Sequence, residues 1–493
     1  MTPTEPLATR TGTALVWKSI QLVGVKLIFL LRLAILARLL QPDAFGLLAI
    51  ALIPVDLFLN ITDLGMIPAL VQREDVDKEH YDTAWTIGLY RALVIAALVL
   101  LAAPLIAWLA GEPRATNLIR LLALGPIIEA AASIRIADLI RRLDFRSLAS
   151  IDLAKALVIT VVSAALALPL GVWALIVGRL AGAVTYVLAS YVVAPYRPKV
   201  RVIRSAARAL IRFGRWILVT SLFVVVGSAV LRLVVSRQLG VAELGVYFLA
   251  ARVAFLPGEV ASEVVGAVAF PVYAHLQSDL QRIRQVFRAV LTGLFAVLAP
   301  VCLLLVALAP SISEEILGPG WAGTAPVIRL LALATLLGIL GEVAVPVFKG
   351  IGQPYRIAVL EGAQTLVLVV LVWWLASRHG VVGAAAAWLP AVFLSQVVCI
   401  AFLRQIMLRP FSGLGFRLAA ILGASAVTGA LAWLVDARVG GLEGLLLATA
   451  LGVLTSFLFV WLLDRTLELD LAGVVNQLFP ALARVLRPPS TSG

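Results

Sequence analysis

Apolar residues run along the chain in blocks of helical length, separated by short polar punctuation. The blocks lie at 14–38, 45–70, 84–110, 118–137, 152–170, 172–196, 213–235, 241–270, 287–310, 325–347, 355–376, 381–403, 414–435 and 444–464. A helix needs roughly 20 apolar residues to cross hydrocarbon, and each block is about that long. The pattern therefore predicts an all-α polytopic membrane protein with about fourteen transmembrane helices. Pro169 to Gly171 separates the fifth and sixth blocks, and Pro257-Gly258 interrupts the eighth. Backbone that leaves the helix at membrane depth is tolerated only where protein or a cavity satisfies its polar groups. The second interruption accordingly points to a cavity.

Composition narrows the class. Of 493 residues, 62% are hydrophobic and 14% charged, with a mean hydropathy of +1.05. An ordinary soluble domain is nearer half apolar and a quarter charged, so a water-soluble globular enzyme is excluded. The net charge of +13 has two readings, nucleic-acid binding or membrane topology, and the positions of the cations decide between them. With the N-terminus inside, 26 cations fall in cytoplasmic loops and only 4 (Arg114, Arg237, Arg378 and Arg438) in the opposite loops. That bias places both termini in the cytoplasm of a multi-pass inner-membrane protein and leaves no surplus for nucleic acid. The densest basic stretch, 197–215, reads as a linker lying on the anionic inner leaflet. Residues 1–13 read as a short cytoplasmic tail before a retained first helix, with no cleavage pattern. The tail after 464 carries Leu471, Val474, Val475, Leu478, Leu482 and Val485 at helical spacing, an amphipathic surface helix.

Catalytic signals are absent. His80, His275 and His379 lie far apart, and Cys302 and Cys399 form no motif, so no metal site or cofactor is predicted. No nucleotide or nucleophile fingerprint sits at a strand–helix junction. The chain reads as a non-enzyme.

The sequence repeats internally. ARLLQPDAFG (37–46) aligns with SRQLGVAELG (236–245) at an offset of 199, and IRLLAL recurs at 119–124 and 328–333, at an offset of 209. At that second offset Gly171 meets Gly380, and the spaced pair Gly178/Gly182 meets Ala387/Ala391. Each copy holds six spans, an even number, so the copies share one orientation about an axis along the membrane normal. The expected organisation is a tail (1–13), an N-lobe (14–196), a basic linker (197–212), a C-lobe (213–403), two extra helices (404–464) and a C-terminal tail (465–493). The small-xxx-small pairs predict close helix packing.

Charges at membrane depth are costly, by several kcal/mol in most accounts, and so are informative. Lys18, Arg38, Arg91, Arg135 and Arg232 lie near span ends, where snorkelling explains them. Lys26, Arg32, Arg252, Asp56, Asp63, Glu259 and Glu263 lie deeper, and either line a cavity or form buried ion pairs. Glu129, Glu342 and Arg179 add to the set on spans four, ten and six.

Several segments together resemble the Wzx-type lipid-linked oligosaccharide flippases, nearest the colanic-acid, succinoglycan and teichuronic-acid exporters. They are ARLLQPDAFGLLAIAL (37–52), DLGMIPALVQRED (63–75), RRLDFRSLASIDL (141–153), GVWALIVG (171–178), LGVYFLAARVAFLPGEV (244–260), FPVYAHLQSD (270–279) and GPGWAGTAPVIRLLALA (318–334). The resemblance implies the multidrug/oligosaccharidyl-lipid/polysaccharide superfamily fold: two pseudo-symmetric six-helix lobes around a central cavity, plus two extra helices. It further implies flipping of an undecaprenyl-diphosphate-linked oligosaccharide, with possible help from other polysaccharide-assembly proteins. For an anionic diphosphate the candidate contacts are Lys26, Arg32, Arg179 and Arg252. The family often carries an acidic residue where this chain has Leu231-Arg232. Coupling to H⁺ or Na⁺ would then fall to Asp56, Asp63, Glu259 or Glu263. A drug/cation antiporter and a lipid II flippase of the same superfamily are the alternatives.

Overall fold

The computed structural model describes residues 7–62, 66–72, 76–201, 204–277 and 279–467, which form helices and turns and no strand. It divides into two compact units, Met1–Gly245 and Val246–Gly493. The first contains α1 (Leu7–Leu39), α2 (Pro42–Ile61), α3 (Met66–Gln72), α4 (Lys78–Ala110), α5 (Ala115–Leu122), α6 (Leu124–Ala130), α7 (Ile136–Arg141), α8 (Phe145–Leu170), α9 (Val172–Val193) and α10 (Arg204–Leu239). It ends within the first turns of α11 (Val241–Ala254). The second continues through α12 (Leu256–His275), α13 (Leu280–Ser311), α14 (Thr324–Gly350), α15 (Tyr355–Ala386), α16 (Trp388–Ile406), α17 (Leu414–Val439) and α18 (Gly441–Leu467). Helix α1 reaches back into the expected N-terminal tail, and α10 begins inside the expected linker. The amphipathic helix expected after 464 lies almost wholly outside the described residues.

Among the described residues, twelve helices are individually long and apolar enough to cross a membrane. A thirteenth span arises if α11 and α12, which meet at 43°, count as one. The remaining apolar block, 118–137, is helical but broken into α5 and α6. Pro126 is the cause: it has no N–H for the Leu122 carbonyl and its ring crowds that group. Where the chain then leaves the helix, α9 satisfies it. Tyr191 donates its hydroxyl to the Ala131 carbonyl (3.0 Å), the Ser133 N–H donates to Ser190 Oγ (2.9 Å), and Ser133 Oγ donates to the Ala194 carbonyl (2.6 Å).

The repeat is visible in the backbone. Helices α2 and α11 start at 42 and 241, α5 and α14 at 115 and 324. Between these landmarks the offset grows from 199 to 209. The second copy there inserts a π-helical turn (Ile312–Leu317) and a 3-10 turn (Pro319–Trp321). Gly171 (φ 55°, ψ −128°) and Gly380 (φ 62°, ψ −147°) make the same left-handed corner, before α9 and inside α15.

In the first unit α8 packs against both α1 and α9. A methyl group at Gly178 would lie 2.0 Å from Ser163 Oγ, and one at Gly182 2.2 Å from Ile159 Cγ1. The small residues therefore set the α8–α9 distance, as the spacing predicts. Helix α10 packs against α2 and α4. Here the repeat meets itself. A methyl at Gly46 would stand 1.9 Å from the Val241 carbonyl oxygen, and one at Gly245 1.8 Å from that of Pro42. These are counterpart residues in exchanged roles. Arg232 on α10, assigned to snorkelling by its place in the sequence, is instead paired: its Nη1 lies 3.1 Å from Asp56 Oδ2 on α2. The two side chains are 15% and 31% exposed.

In the second unit α13 packs against α14 and α17, and α17 against α18. Tyr273, Phe287, Phe348 and Leu403 centre its core. The two extra C-terminal helices are held through Leu304 and Leu308 of α13 against Ala432, Leu445 and Ala448.

Removing one member of a largely buried ion pair leaves a charge without compensation, at a cost of about 3 kcal/mol. Arg232→Leu should therefore lower the unfolding temperature of the purified protein in detergent. Asp56→Asn/Arg232→Gln should recover most of the loss. Equal stability of the single and double variants would mean the pair does not hold α10 to α2. At the α8–α9 contact, Gly178→Leu is expected to reduce membrane-inserted, monodisperse yield, whereas Gly171→Ala should act through backbone strain alone and cost less.

Candidate functional site

Polar groups inside the first unit form two sets. Nearest the predicted cytoplasmic side, Lys18 Nζ donates to Gln21 Oε1 (3.2 Å), and Gln21 in turn donates to the Asp152 carboxylate. Three residues on from Asp152 stands Lys155, whose Nζ lies 2.6 Å from Glu129 Oε1 and 4.9 Å from the Tyr186 ring centre. Charges of alternating sign thus link α1, α8, α6 and α9. Lys155 and Glu129 neutralise each other, and the neutral Gln21 bridges Lys18 and Asp152 by hydrogen bonds. Sequence position alone gives Lys18 and Lys155 to the cytoplasmic boundary. It offers no signal for Asp152, which needs the packing of α1 on α8 to acquire its partner.

The second set surrounds the end of α2. Arg91 from α4 donates Nε to Thr62 Oγ1 (3.0 Å) and Nη2 to the Leu59 carbonyl (2.8 Å). A cation placed on the last carbonyls of a helix satisfies them and meets the negative end of its dipole. Asp56, one turn earlier, is committed to Arg232 as described above. Asp63 lies outside the described residues.

The four candidate phosphate contacts are distributed rather than clustered. Lys26 and Arg32 are half-buried on α1, with the Arg32 guanidinium 5.3 Å from the ring of Phe29, and Arg179 is exposed on α9. Both helices pack on α8. Arg252 belongs to the second unit, half-buried on α11 with its guanidinium 5.0 Å from the Phe248 ring.

The break expected at Pro257-Gly258 falls between α11 and α12. Thr335 on α14 donates its hydroxyl to the Ala254 carbonyl (3.2 Å) at the break. Trp388 on α16 donates Nε1 to the Tyr247 hydroxyl (2.7 Å) and meets Phe255 edge-on at 5.1 Å. The bend is therefore held by protein groups from two other helices. Glu259 and Glu263 follow it one turn apart, both exposed. Elsewhere in this unit Glu342 on α14 and Glu361 on α15 are half-buried. Gln396, whose amide lies within 4 Å of where a methyl at Gly341 would stand, is 8% exposed, and its Oε1 has no hydrogen-bond partner. Glu361 escapes sequence reading because a lone glutamate six residues into an apolar block, in its first two helical turns, resembles a span-end charge.

No group of His, Cys, Asp and Glu among the described residues could hold a metal ion. Among the described residues the charged side chains of the two units are scattered, and pairs such as Lys155–Glu129 and Arg232–Asp56 compensate each other.

Comparison with known proteins agrees with this architecture. Residues 35–326 match the polysaccharide biosynthesis protein family. The succinoglycan biosynthesis transport protein ExoT of Rhizobium meliloti (strain 1021) is 28% identical over 422 residues, 85% of this chain and 82% of that protein. The lipopolysaccharide biosynthesis protein WzxC of Escherichia coli (strain K12) is 26% identical over 340 residues, covering 68% and 69% of the two chains. In fold, the chain resembles the lipid II flippase MurJ in an inward closed conformation, with a TM-score of 0.72 at 14% identity over 92% of this chain and all of MurJ. It also resembles an inward-facing multidrug-resistance MATE transporter of the MOP superfamily, with a TM-score of 0.62 at 18% identity over 84% of this chain and all of that one. At such identities these two likenesses concern the fold. The sequence match extends over more than half of the chain, from the end of α1 to the start of α14, and this protein belongs to the polysaccharide biosynthesis protein family.

Proposed function

We propose that the chain is a flippase that carries an undecaprenyl-diphosphate-linked oligosaccharide from the cytoplasmic to the outer leaflet of the inner membrane. The product would feed exopolysaccharide, O-antigen or capsule assembly. The observation that carries this reading is the colinear match to a succinoglycan transport protein over more than four-fifths of both chains. The deep cations support it. A diphosphate cannot cross hydrocarbon without compensation, and Lys26, Arg32, Arg179 and Arg252 supply guanidinium and ammonium donors of the right charge. The likeness in fold to MurJ and MATE proteins supports alternating access by two six-helix lobes, residues 14–196 and 213–403. On this reading both termini are cytoplasmic, and no reaction is catalysed.

Coupling to H⁺ or Na⁺ would use Glu259 and Glu263, together with Asp63. Asp56 would contribute only by exchanging its Arg232 partner for the ion. Glu342 and Glu361, half-buried on α14 and α15, add two carboxylates to the second unit's candidates for coupling.

Deleting the gene and extracting lipids tests the function. Lipid-linked repeat units should accumulate on the cytoplasmic leaflet, and their analysis would identify the sugar. Unchanged lipids accompanied by altered drug tolerance would replace the flippase with an antiporter. For the cations, each charge-assisted hydrogen bond is worth about 1.5–3 kcal/mol. Lys26→Ala/Arg252→Ala should thus cut polymer export by roughly tenfold or more while membrane insertion and unfolding temperature hold. Wild-type polymer yield from the double variant would remove these residues from the cargo path.

A further inference from the structure

At one end of the first unit the turns α1–α2, α4–α5 and α8–α9 enclose a cavity of about 490 Å³, a size typical of small-molecule sites. It is the end that carries Arg114, one of the few cations of the predicted extracytoplasmic loops. Leu47, Leu118 and Ala167 contribute apolar surface to its lining, and Gln41, Asp43, Arg114 and Trp173 bring the polar and aromatic groups.

These groups are arranged for use. Arg114 gives Nε and Nη2 to the two carboxylate oxygens of Glu112, at 2.7 and 3.0 Å. That double bond fixes the guanidinium plane and holds the Glu112 carboxyl below the usual carboxylate range. The remaining nitrogen, Nη1, stands 3.9 Å from Asp43 Oδ2. The separation is right for charge attraction but too long for a hydrogen bond, so donor and acceptor capacity remain in the cavity wall. Trp173 is 38% exposed, and the Gly171 corner beside it has no side chain to fill the space.

The repeat supplies an independent argument. The counterparts of Gln41, Asp43, Arg114 and Trp173 in the second copy are Gly240, Ala242, Gly323 and Val382. These correspondences follow helix starts and the shared glycine corner, not sequence similarity at the positions themselves. The second copy repeats the helix starts and the glycine corner with none of the four side chains, and its counterpart of the α4–α5 turn is longer by the inserted π-helical and 3-10 turns. The four side chains are therefore a property of the first copy, and an interfacial tryptophan anchor alone would not bring a carboxylate, a guanidinium and a carboxamide with it.

An indole face beside a carboxylate, a guanidinium and a carboxamide is the chemistry that recognises a pyranose ring. The aromatic surface takes the apolar C–H face, and the planar polar groups bond neighbouring hydroxyls as donors and acceptors. Glu112 already neutralises Arg114, so Asp43 remains a hydrogen-bond acceptor for sugar hydroxyls. We propose that this cavity is a saccharide subsite on the extracytoplasmic face, where Trp173 stacks a sugar ring of the cargo and Asp43, Arg114 and Gln41 bond its hydroxyls. The inference rests on the reading of the chain as an oligosaccharide transporter.

Saturation-transfer NMR on the full-length protein in lipid nanodiscs tests it. The probe is the water-soluble oligosaccharide released by mild acid from the cell's own lipid-linked intermediate, with glycerophosphoethanolamine as a second probe. The wild type should transfer magnetisation to the oligosaccharide. Trp173→Ala and Asp43→Asn should each lower that transfer by about fivefold, and Val382→Ala, at the counterpart position, should leave it intact. Matching unfolding temperatures establish that the variants fold, and Trp173→Phe should restore part of the signal. No transfer to the oligosaccharide, transfer that survives both substitutions, or transfer to glycerophosphoethanolamine alone would each overturn the subsite. The lipid extraction described above separates the two ideas. Accumulated lipid-linked oligosaccharide with no NMR signal fells the subsite and leaves the flippase. Unchanged lipids fell the flippase, while the NMR result still decides whether the cavity binds sugar.

Discussion

The requirement that every backbone N–H and C=O find a partner away from water governs this molecule. A continuous helix meets it internally, and the chain is built almost wholly from such helices. The informative places are the exceptions, and each carries its own compensation. The Ala254 carbonyl at the α11–α12 bend takes the Thr335 hydroxyl, and the end of α2 takes the Arg91 guanidinium. The break after α6 takes Tyr191, Ser133 and Ser190, and the Ala110 carbonyl takes the Ser236 hydroxyl at 2.8 Å. Irregular backbone is thus tied to side chains on neighbouring helices, so local geometry at the breaks depends on tertiary packing.

The same economy applies to charge. Lys155 with Glu129, and Arg232 with Asp56, are pairs whose members come from different helices. A charge compensated in this way is a stabilising element of one unit, and Arg32 and Arg252 each lie over an aromatic ring of their own helix.

Much of the architecture is legible along the sequence, for a physical reason. Hydropathy reports the length of each apolar block, and a block of spanning length has little choice but to be a helix. Duplication is legible because the offsets persist over landmarks such as Gly171 and Gly380. The division of block 118–137 is hidden from a hydropathy average, since Pro126 contributes little to hydrophobicity and much to hydrogen bonding. Partners far apart in sequence are also hidden: Arg232 reads as a snorkelling residue until α10 is laid on α2, and Asp152 gives no signal until the packing of α1 on α8 brings Gln21 to it. The shift of offset from 199 to 209 signals an insertion, but only the coordinates give it the form of a π-helical turn.

The contact in which Gly46 approaches the Val241 carbonyl and Gly245 approaches that of Pro42 has a mechanical consequence. In each approach a carbonyl oxygen stands where a β-carbon would have to be. A side chain at either position would push the first turns of α2 and α11 apart, so their closeness is set by two absent methyl groups, and a single alanine at either place would be felt by both turns.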